Sequence, residues 1–196
     1  MRGAALSLAL GVVACNGILG WEQAAIDPIL LDADGNGPSC ERYCALVTAA
    51  CTGPQLQYLT PGICLSMCAV FDLGSLDDTA SPSLGCRQHH AVLAASDPIN
   101  HCPKAGPLGG GTCGDRCKVF CDLDRARCDT LAYATVAACV PICGGFAYDP
   151  ALGVTRDQEK DTLNCRSYHL QAAQANDAAR ATHCPHTAKV SDICTP

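Results

Sequence analysis

The sequence predicts an all-α protein built from two tandem disulfide-stapled modules of three helices each, which follow a signal or lipidation segment and a flexible tether. Seventeen of the 196 residues are cysteine, a density typical of secreted disulfide scaffolds. Sixteen of these cysteines form two runs of eight with nearly the same spacing, which indicates an internal duplication of about 80 residues. Strand signals are weak, because apolar and polar residues never alternate for long and β-branched runs are few.

The duplication extends beyond cysteine. Tyr58 and Tyr133 each stand six residues before the first cysteine of a CxxxC pair. The pattern Cys-Arg-x-x-His occurs once in each run, and so does His-Cys-Pro. Agreement at so many residue types indicates two copies of one scaffold. The first run consists of Cys40, Cys44, Cys51, Cys64, Cys68, Cys86, Cys102 and Cys113, and the second of Cys117, Cys121, Cys128, Cys139, Cys143, Cys165, Cys184 and Cys194.

The N-terminus predicts export. Residues 4–13 form a ten-residue apolar run, which suits a signal peptide and is too short to cross a bilayer, since that takes about 20 residues. The run ends in Val-Val-Ala-Cys15, which resembles the lipobox of bacterial lipoproteins and implies a lipid on Cys15. Asn16, by resemblance to the lipoprotein sorting rule, implies the outer membrane. The alternative is an ordinary secretory signal that is cut between residues 20 and 25.

The chain divides into four segments by composition. We interpret residues 1–14 as a lipoprotein signal peptide and 15–38 as a lipid anchor followed by an acidic tether. Residues 39–114 and 115–196 are the two cysteine-rich helical modules. The formal net charge is −6 and Lys and Arg do not cluster, which argues against a nucleic-acid partner. The predicted contact with a membrane is therefore through the lipid alone.

The positions of cysteines, caps and prolines predict the helices of each module. Cys40, Cys44 and Cys51 fall on one helical stripe, with Ser39 as N-cap. Thr60-Pro61 starts a second helix. A third helix is expected from Leu84 to about Ala95, and its counterpart from about residue 161 to 181. Pro141 should kink or shorten the second helix of the second module.

The spacing also suggests a disulfide pattern. Two antiparallel helices that each carry CxxxC can be joined by two rungs, as in the α-hairpinins, which this arrangement resembles at four cysteines. The remaining pairs of the first module would then be Cys51–Cys102 and Cys86–Cys113. Eight cysteines allow 105 connectivities, so other pairings stay open. The rungs would be Cys40–Cys68 and Cys44–Cys64 in the first module, and Cys117–Cys143 and Cys121–Cys139 in the second.

Few residues offer chemistry. The sequence has no CxxC, which argues against covalent haem and a thioredoxin-like site, and no GxSxG, HExxH or P-loop. The repeated histidines and arginines are the candidate ligand-binding residues. Two converging imidazoles could hold a metal ion or a non-covalent haem; alternatively, each histidine satisfies buried carbonyls beside a disulfide. The candidate residues are His90, His101, His169, His183, Arg87 and Arg166.

Three sequence patterns together resemble one family of bacterial lipoproteins. Cys15-Asn16-Gly17-Ile18-Leu19-Gly20, together with the repeated Cys-Arg-x-x-His and His-Cys-Pro patterns, resembles the uncharacterised cysteine-rich lipoproteins of myxobacteria and related deltaproteobacteria. The resemblance covers most of the chain. It implies a location in the bacterial envelope and no particular activity.

These observations favour a non-enzymatic binding or structural lipoprotein of the bacterial envelope, periplasmic or on the cell surface, that takes no cofactor. Its partner would be a protein or envelope polymer, contacted through exposed loops at residues 104–112 and 149–160. The alternative is a metal or haem carrier that uses the repeated histidines. A secreted enzyme is the third possibility, although the sequence offers no nucleophile–base pair.

Overall fold

The protein is all-α, as predicted. The computed structural model describes residues 37–129, 132–155 and 157–196, and these contain eight α-helices and no strand, only isolated bridges. None of these helices combines the length and apolarity that a membrane crossing requires. The helices are α1 Cys40–Ala50, α2 Pro61–Cys68, α3 Leu84–Leu93, α4 Pro98–Ala105, α5 Arg116–Cys128, α6 Val136–Cys143, α7 Leu163–Ala172 and α8 Asp177–His183.

The expected count of three helices per repeat is wrong. Each repeat has four, because the segment after the third helix turns and starts a new one: α4 in residues 39–114 and α8 in residues 115–196. The expected continuous helix over 161–181 ends at Ala172, and Asn176 then caps α8. Helices α4 and α8 have eight and seven residues, so neither shows a long apolar period in the sequence.

Side-chain caps start every helix at equivalent places in the two repeats. In each cap a side-chain oxygen accepts a hydrogen bond from a backbone N–H of the first turn, which satisfies a donor without a partner inside the helix. Ser39 and Thr60 cap α1 and α2 as predicted. The cap pairs are Ser39 and Asp115, Thr60 and Thr135, Ser83 and Thr162, and Asp97 and Asn176.

Disulfides join all sixteen cysteines of the described residues, each bond within one run. Two rungs cross between α1 and α2 and two between α5 and α6, in the predicted pairs. The other bonds tie the ends of α1 and α5 to the fourth helix region, and the third helices to the last cysteine of each run. The bonds are Cys40–Cys68, Cys44–Cys64, Cys51–Cys102, Cys86–Cys113, Cys117–Cys143, Cys121–Cys139, Cys128–Cys184 and Cys165–Cys194.

The two repeats contact each other within one compact unit, residues Asn36–Pro196. The Gly153 and Val154 amides donate to the Pro54 and Leu56 carbonyls at 2.8 and 2.7 Å. Gln171 of α7, fully buried, reaches across: its Nε2 donates to the Gln57 carbonyl and its Oε1 accepts from the Leu59 amide. The two cysteine runs are separated by residues 114–116 alone, and so short a link agrees with this packing.

One further expectation fails, and a second fails in part. Residues 105–109 are buried, so the 104–112 segment is not an exposed recognition loop; Ala105 and Leu108 belong to the core. Pro141, expected to kink or shorten its helix, lies inside α6, which has eight residues, as many as α2; the shortening is wrong, and the kink stays a prediction. The predicted lipid acceptor Cys15 lies outside the described residues.

Candidate functional site

The structure brings His90 and His101 together in the first repeat. Their Nδ1 atoms lie 2.9 Å apart and the rings stack. His90 Nε2 lies 3.2 Å from the Thr79 carbonyl oxygen, and an imidazole nitrogen at that oxygen must carry the proton. His90 Nδ1 is then an acceptor, and His101 Nδ1–H donates to it. The two imidazoles therefore bind each other rather than facing an open site, and His90 is buried.

The second repeat reproduces this arrangement with His169 and His183. Their Nδ1 atoms are again 2.9 Å apart, and His169 Nε2 lies 3.3 Å from the Gln158 carbonyl oxygen. A third imidazole, His186, lies with its ring centre 4.8 Å from that of His169. The same pairing in both repeats therefore belongs to the shared scaffold.

Burial favours the neutral form of the inner histidines. Desolvation lowers the pKa of His90 to about 4, although the hydrogen bond to Thr79 opposes the shift. Desolvation likewise lowers the pKa of His169 to about 4. Burial, followed by the charge of His186, lowers the pKa of His183. Neutral rings suit the N–H···N bond, since protonation of the acceptor would abolish it.

Each inner histidine also lies beside a disulfide. Ligand atoms of Cys86, His90 and Cys113 all fall within 4.8 Å of one another, as do those of the equivalent set around His169. A thiolate, however, is the metal-binding form of cysteine, and both sulfurs of each set are bonded to each other. In the oxidised protein these sets offer a metal the imidazoles alone.

The repeated arginines are buried and stacked on phenylalanine. The Arg87 guanidinium carbon lies 4.1 Å from the ring centre of Phe71, and that of Arg166 lies 3.5 Å from Phe146. Both side chains have at most 1% of their surface exposed. Full burial of a guanidinium is tolerated only when its N–H groups find acceptors, so the acceptors around each arginine define the site.

Backbone carbonyl oxygens accept hydrogen bonds from each guanidinium. Arg87 Nη1 donates to the Ser83 carbonyl and Nη2 to the Pro107 carbonyl, at 3.1 and 3.3 Å. Arg166 makes the matching bonds, to Thr162 and Lys189. Desolvation lowers the pKa of Arg87. Each arginine thereby ties the start of α3 or α7 to the segment that follows the fourth helix of its repeat, and the forked shape of the guanidinium accounts for the residue type.

A cleft opens beside each arginine–phenylalanine stack. The first has a volume of about 490 Å³ and lies between residues 70–87 and α5. The second has about 440 Å³ and lies beside Phe146 and Asp161. The sequence identified the arginines as candidate residues but gave no sign of either cleft. The walls of the first include Val70, Phe71, Pro82, Arg87, Val119 and Leu123.

A buried acid in the second repeat was also missed. Asp124 is 1% exposed, and its Oδ1 accepts from the Thr187 hydroxyl at 2.6 Å. Burial raises the pKa of Asp124 to about 6, although the hydrogen bond opposes the shift. The equivalent position of the first repeat is Val47. A polar residue on a helix face that is apolar in the other copy was thus the signal that could have identified Asp124 from the sequence.

Comparison with known proteins gives one partial family match. Residues 38–116 match the model of the BfoA family C-terminal domain, which is the first repeat together with the start of α5. The match covers less than half of the chain. No solved structure matches the chain.

The similar curated proteins come from fungi and a giant virus. Aurasperone B biosynthesis cluster protein A of Aspergillus niger is 36% identical over 73 residues, which is 37% of this chain and 24% of that protein. Bifonsecin B biosynthesis cluster protein A of Aspergillus brasiliensis is 34% identical over 37% of this chain and 25% of its own length. A putative EGF-like domain-containing protein of Acanthamoeba polyphaga mimivirus is 32% identical over 49% and 19%.

These matches correct the resemblance drawn from the sequence. The chain spans about a quarter or less of the length of these curated relatives. The relatives and the matching family model point to fungal biosynthesis cluster proteins rather than to myxobacterial lipoproteins. The repeated Cys-Arg-x-x-His and His-Cys-Pro patterns, which suggested the bacterial group, are scaffold features of the stapled helices. The chain is thus similar in its first repeat to the BfoA family C-terminal domain.

Proposed function

We propose that this chain is an exported, non-catalytic binding protein whose recognition surface is the pair of clefts beside Phe71 and Phe146. The observation that carries the proposal is a cleft of ligand size, about 490 and 440 Å³, beside the equivalent phenylalanine of each repeat. Small-molecule sites are typically concave, mostly apolar and of 300–1,000 Å³. The recurrent histidines, by contrast, hydrogen-bond to each other and to carbonyls.

Export follows from the disulfides, because eight bonds in 160 residues persist only in an oxidising compartment. The sequence also predicts lipidation at Cys15 and a location at an outer membrane. The fungal and viral relatives lend these two predictions no support. Fatty-acid labelling of the wild type and of Cys15→Ser tests the anchor. Label on the wild type that vanishes in the variant would establish it.

The binding proposal is tested by methyl-resolved NMR with a library of small apolar fragments. We expect the bound fragments to shift the methyl resonances of Val70, Val119 and Leu123. Ala80→Trp, at the exposed rim of the first cleft, should abolish these shifts. Ala178→Trp, on exposed α8, is the matched control and should leave them unchanged. Fragments that shift no cleft methyl, or shift them equally in Ala80→Trp, contradict the proposal.

A metal or haem carrier is the second candidate. It is favoured by one observation, the paired imidazoles that recur beside a disulfide in both repeats. Metal analysis and a visible absorption spectrum of the purified protein separate the two candidates. A carrier predicts bound metal or a haem band that the double variant His90→Ala and His169→Ala loses, whereas the binding proposal predicts neither.

A further inference from the structure

The two arginine sites differ in one charged partner. In the second repeat, Arg166 Nη2 donates to Asp161 Oδ1 at 2.7 Å in addition to its carbonyl bonds. Asp161 stands five residues before Arg166. The residue five before Arg87 is Pro82, which has no carboxylate. The first repeat therefore keeps the buried guanidinium and lacks the anion that neutralises it in the second.

Arg87 is also incompletely hydrogen-bonded. Its Nε is buried without a hydrogen-bond partner among the described residues, whereas Arg166 Nε donates to the Ala188 carbonyl at 3.1 Å. No carboxylate of the described residues lies within ion-pair distance of Arg87, which is 1% exposed. A buried charge without a counter-ion destabilises a fold by several kcal/mol in typical cases. Such a group is expected where a ligand supplies the missing charge.

The missing partner coincides with the larger cleft. Arg87 and Pro82 both line the cavity of about 490 Å³, while Asp161 lines the equivalent cavity beside Phe146. In the second repeat the protein's own carboxylate thus occupies the wall of the cleft, next to the arginine. In the first repeat the corresponding wall is the apolar face of Pro82, and the cleft adjoins an arginine whose charge is unpaired.

We propose that the first cleft binds a small monocarboxylate whose carboxylate pairs with Arg87, as Asp161 pairs with Arg166, and whose apolar body lies against Phe71, Val119 and Leu123. This inference rests on the proposed function and names its ligand class. Ionic hydrogen bonds to a guanidinium are about twice as strong as neutral ones. The apolar walls supply the remaining contact area.

The charges at the rim select one carboxylate rather than a polyanion. Asp72, Asp115, Lys118 and Asp122 all line the cleft. Asp115 caps α5 and Asp122 pairs with Lys118 at 2.6 Å, which leaves the mouth net negative. Repulsion at the mouth disfavours phosphate and other multiply charged anions, while a single carboxylate gains its partner at the buried guanidinium.

The test uses 2-naphthoate as probe and 2-naphthalenemethanol as its uncharged match, titrated calorimetrically into the full chain with its disulfides intact. We expect naphthoate to bind about 10- to 100-fold more tightly than the alcohol, as for one charge-assisted bond pair. Inorganic phosphate should not compete. Pro82→Asp should place a carboxylate five residues before Arg87, weaken naphthoate binding at least about tenfold and raise the melting temperature.

Pro82→Ala is the matched control, since it removes the proline without adding charge, and it should keep the wild-type affinity. Equal binding of naphthoate and alcohol overturns the carboxylate assignment but leaves the proposed binding function standing. Unchanged naphthoate affinity in Pro82→Asp, with the melting temperature unmoved, overturns the role of Arg87. Fragments that bind the cleft in NMR without any preference for a carboxylate would likewise overturn the carboxylate assignment and leave the binding function standing.

Discussion

Two buried histidines make the stability of the fold sensitive to acid. The folded-state pKa of His90 and of His169 is lowered to about 4, while an unfolded histidine titrates near 6.5. Between these values the unfolded chain binds more protons, so stability is present above pH 6.5 and is lost as pH falls towards 4. We expect the double variant His90→Gln and His169→Gln to have a flatter stability–pH curve, measured by urea unfolding.

His89→Gln is the control for this experiment. His89 adjoins His90 on α3, with ring centres 5.2 Å apart, and it forms no part of the Nδ1–Nδ1 pair. The pH dependence of this variant should match that of the wild type. A double variant as acid-sensitive as the wild type would show that other groups set the response.

Asp124 makes the opposite contribution. Its folded-state pKa is raised to about 6 from an ordinary value of 3.8, so in this window the folded chain binds more protons and stability falls as pH rises from 4 to 6. Thr187 also donates to the Cys184 carbonyl, and one hydroxyl proton cannot serve both acceptors. Asp124→Asn should therefore stabilise the protein by about 1–3 kcal/mol above pH 6 and by little below pH 4.

Chemical denaturation at pH 4 and pH 7.5 measures this difference. Asp122→Asn, on the exposed face of the same helix, is the matched control and should change stability by no more than about 0.5 kcal/mol at either pH. If Asp124→Asn instead loses stability at pH 7.5, the prediction that the ionised Asp124 carboxylate destabilises the fold is wrong.

At the scale of elements, disulfides of different span predict a graded loss of stability. Cys51–Cys102 closes a separation of 51 residues and Cys44–Cys64 one of 20. Loop-closure entropy makes the longer bond worth about 4 kcal/mol and the shorter about 3 kcal/mol. We expect Cys51→Ala with Cys102→Ala to lower the free energy of unfolding by more than Cys44→Ala with Cys64→Ala, in guanidinium unfolding. The reverse order would show that native packing at the rungs outweighs chain entropy.

The sequence placed the first three helices of the first repeat, since α3 at Leu84–Leu93 also falls within the expected span of Leu84 to about Ala95. Helices α1 and α2 were located from Ser39, Thr60 and the CxxxC spacing, and the same spacing gave the rungs. Helices α4 and α8 were not predicted because they are short, and each offers only one histidine–cysteine pair, which falls in the middle of α4 and at the end of α8. The first cleft was invisible because it forms between α5 and a segment about 40 residues earlier. The sequence does show that Pro82 stands where the second repeat has Asp161. Only the structure shows that Asp161 forms an ion pair with Arg166.

At the scale of the whole molecule, a fully buried side chain helps to join the repeats. Gln171 bonds the backbone of both Gln57 and Leu59 from a fully buried position. Gln171→Leu would leave a buried amide and a carbonyl unsatisfied, and we expect it to lower the free energy of unfolding by about 2–4 kcal/mol. Gln174→Leu, one turn later and partly exposed, loses a single long hydrogen bond across the repeats, from the Ser66 hydroxyl at 3.4 Å, and should cost less than about 1 kcal/mol. Equal losses for the two variants would remove the special role of Gln171.

The protein uses one scaffold twice: Arg87 beside the first cleft is open to a ligand carboxylate, whereas Arg166 beside the second is already paired with Asp161. The most direct measurement is the number of 2-naphthoate molecules bound per chain, by calorimetry, in the wild type and in Asp161→Asn, with Glu159→Gln as the charge-matched control. We predict one site in the wild type and the control, and two in Asp161→Asn, because the variant removes the negative charge that neutralises Arg166. A wild type that binds none, or a variant that still binds only one, would contradict the account.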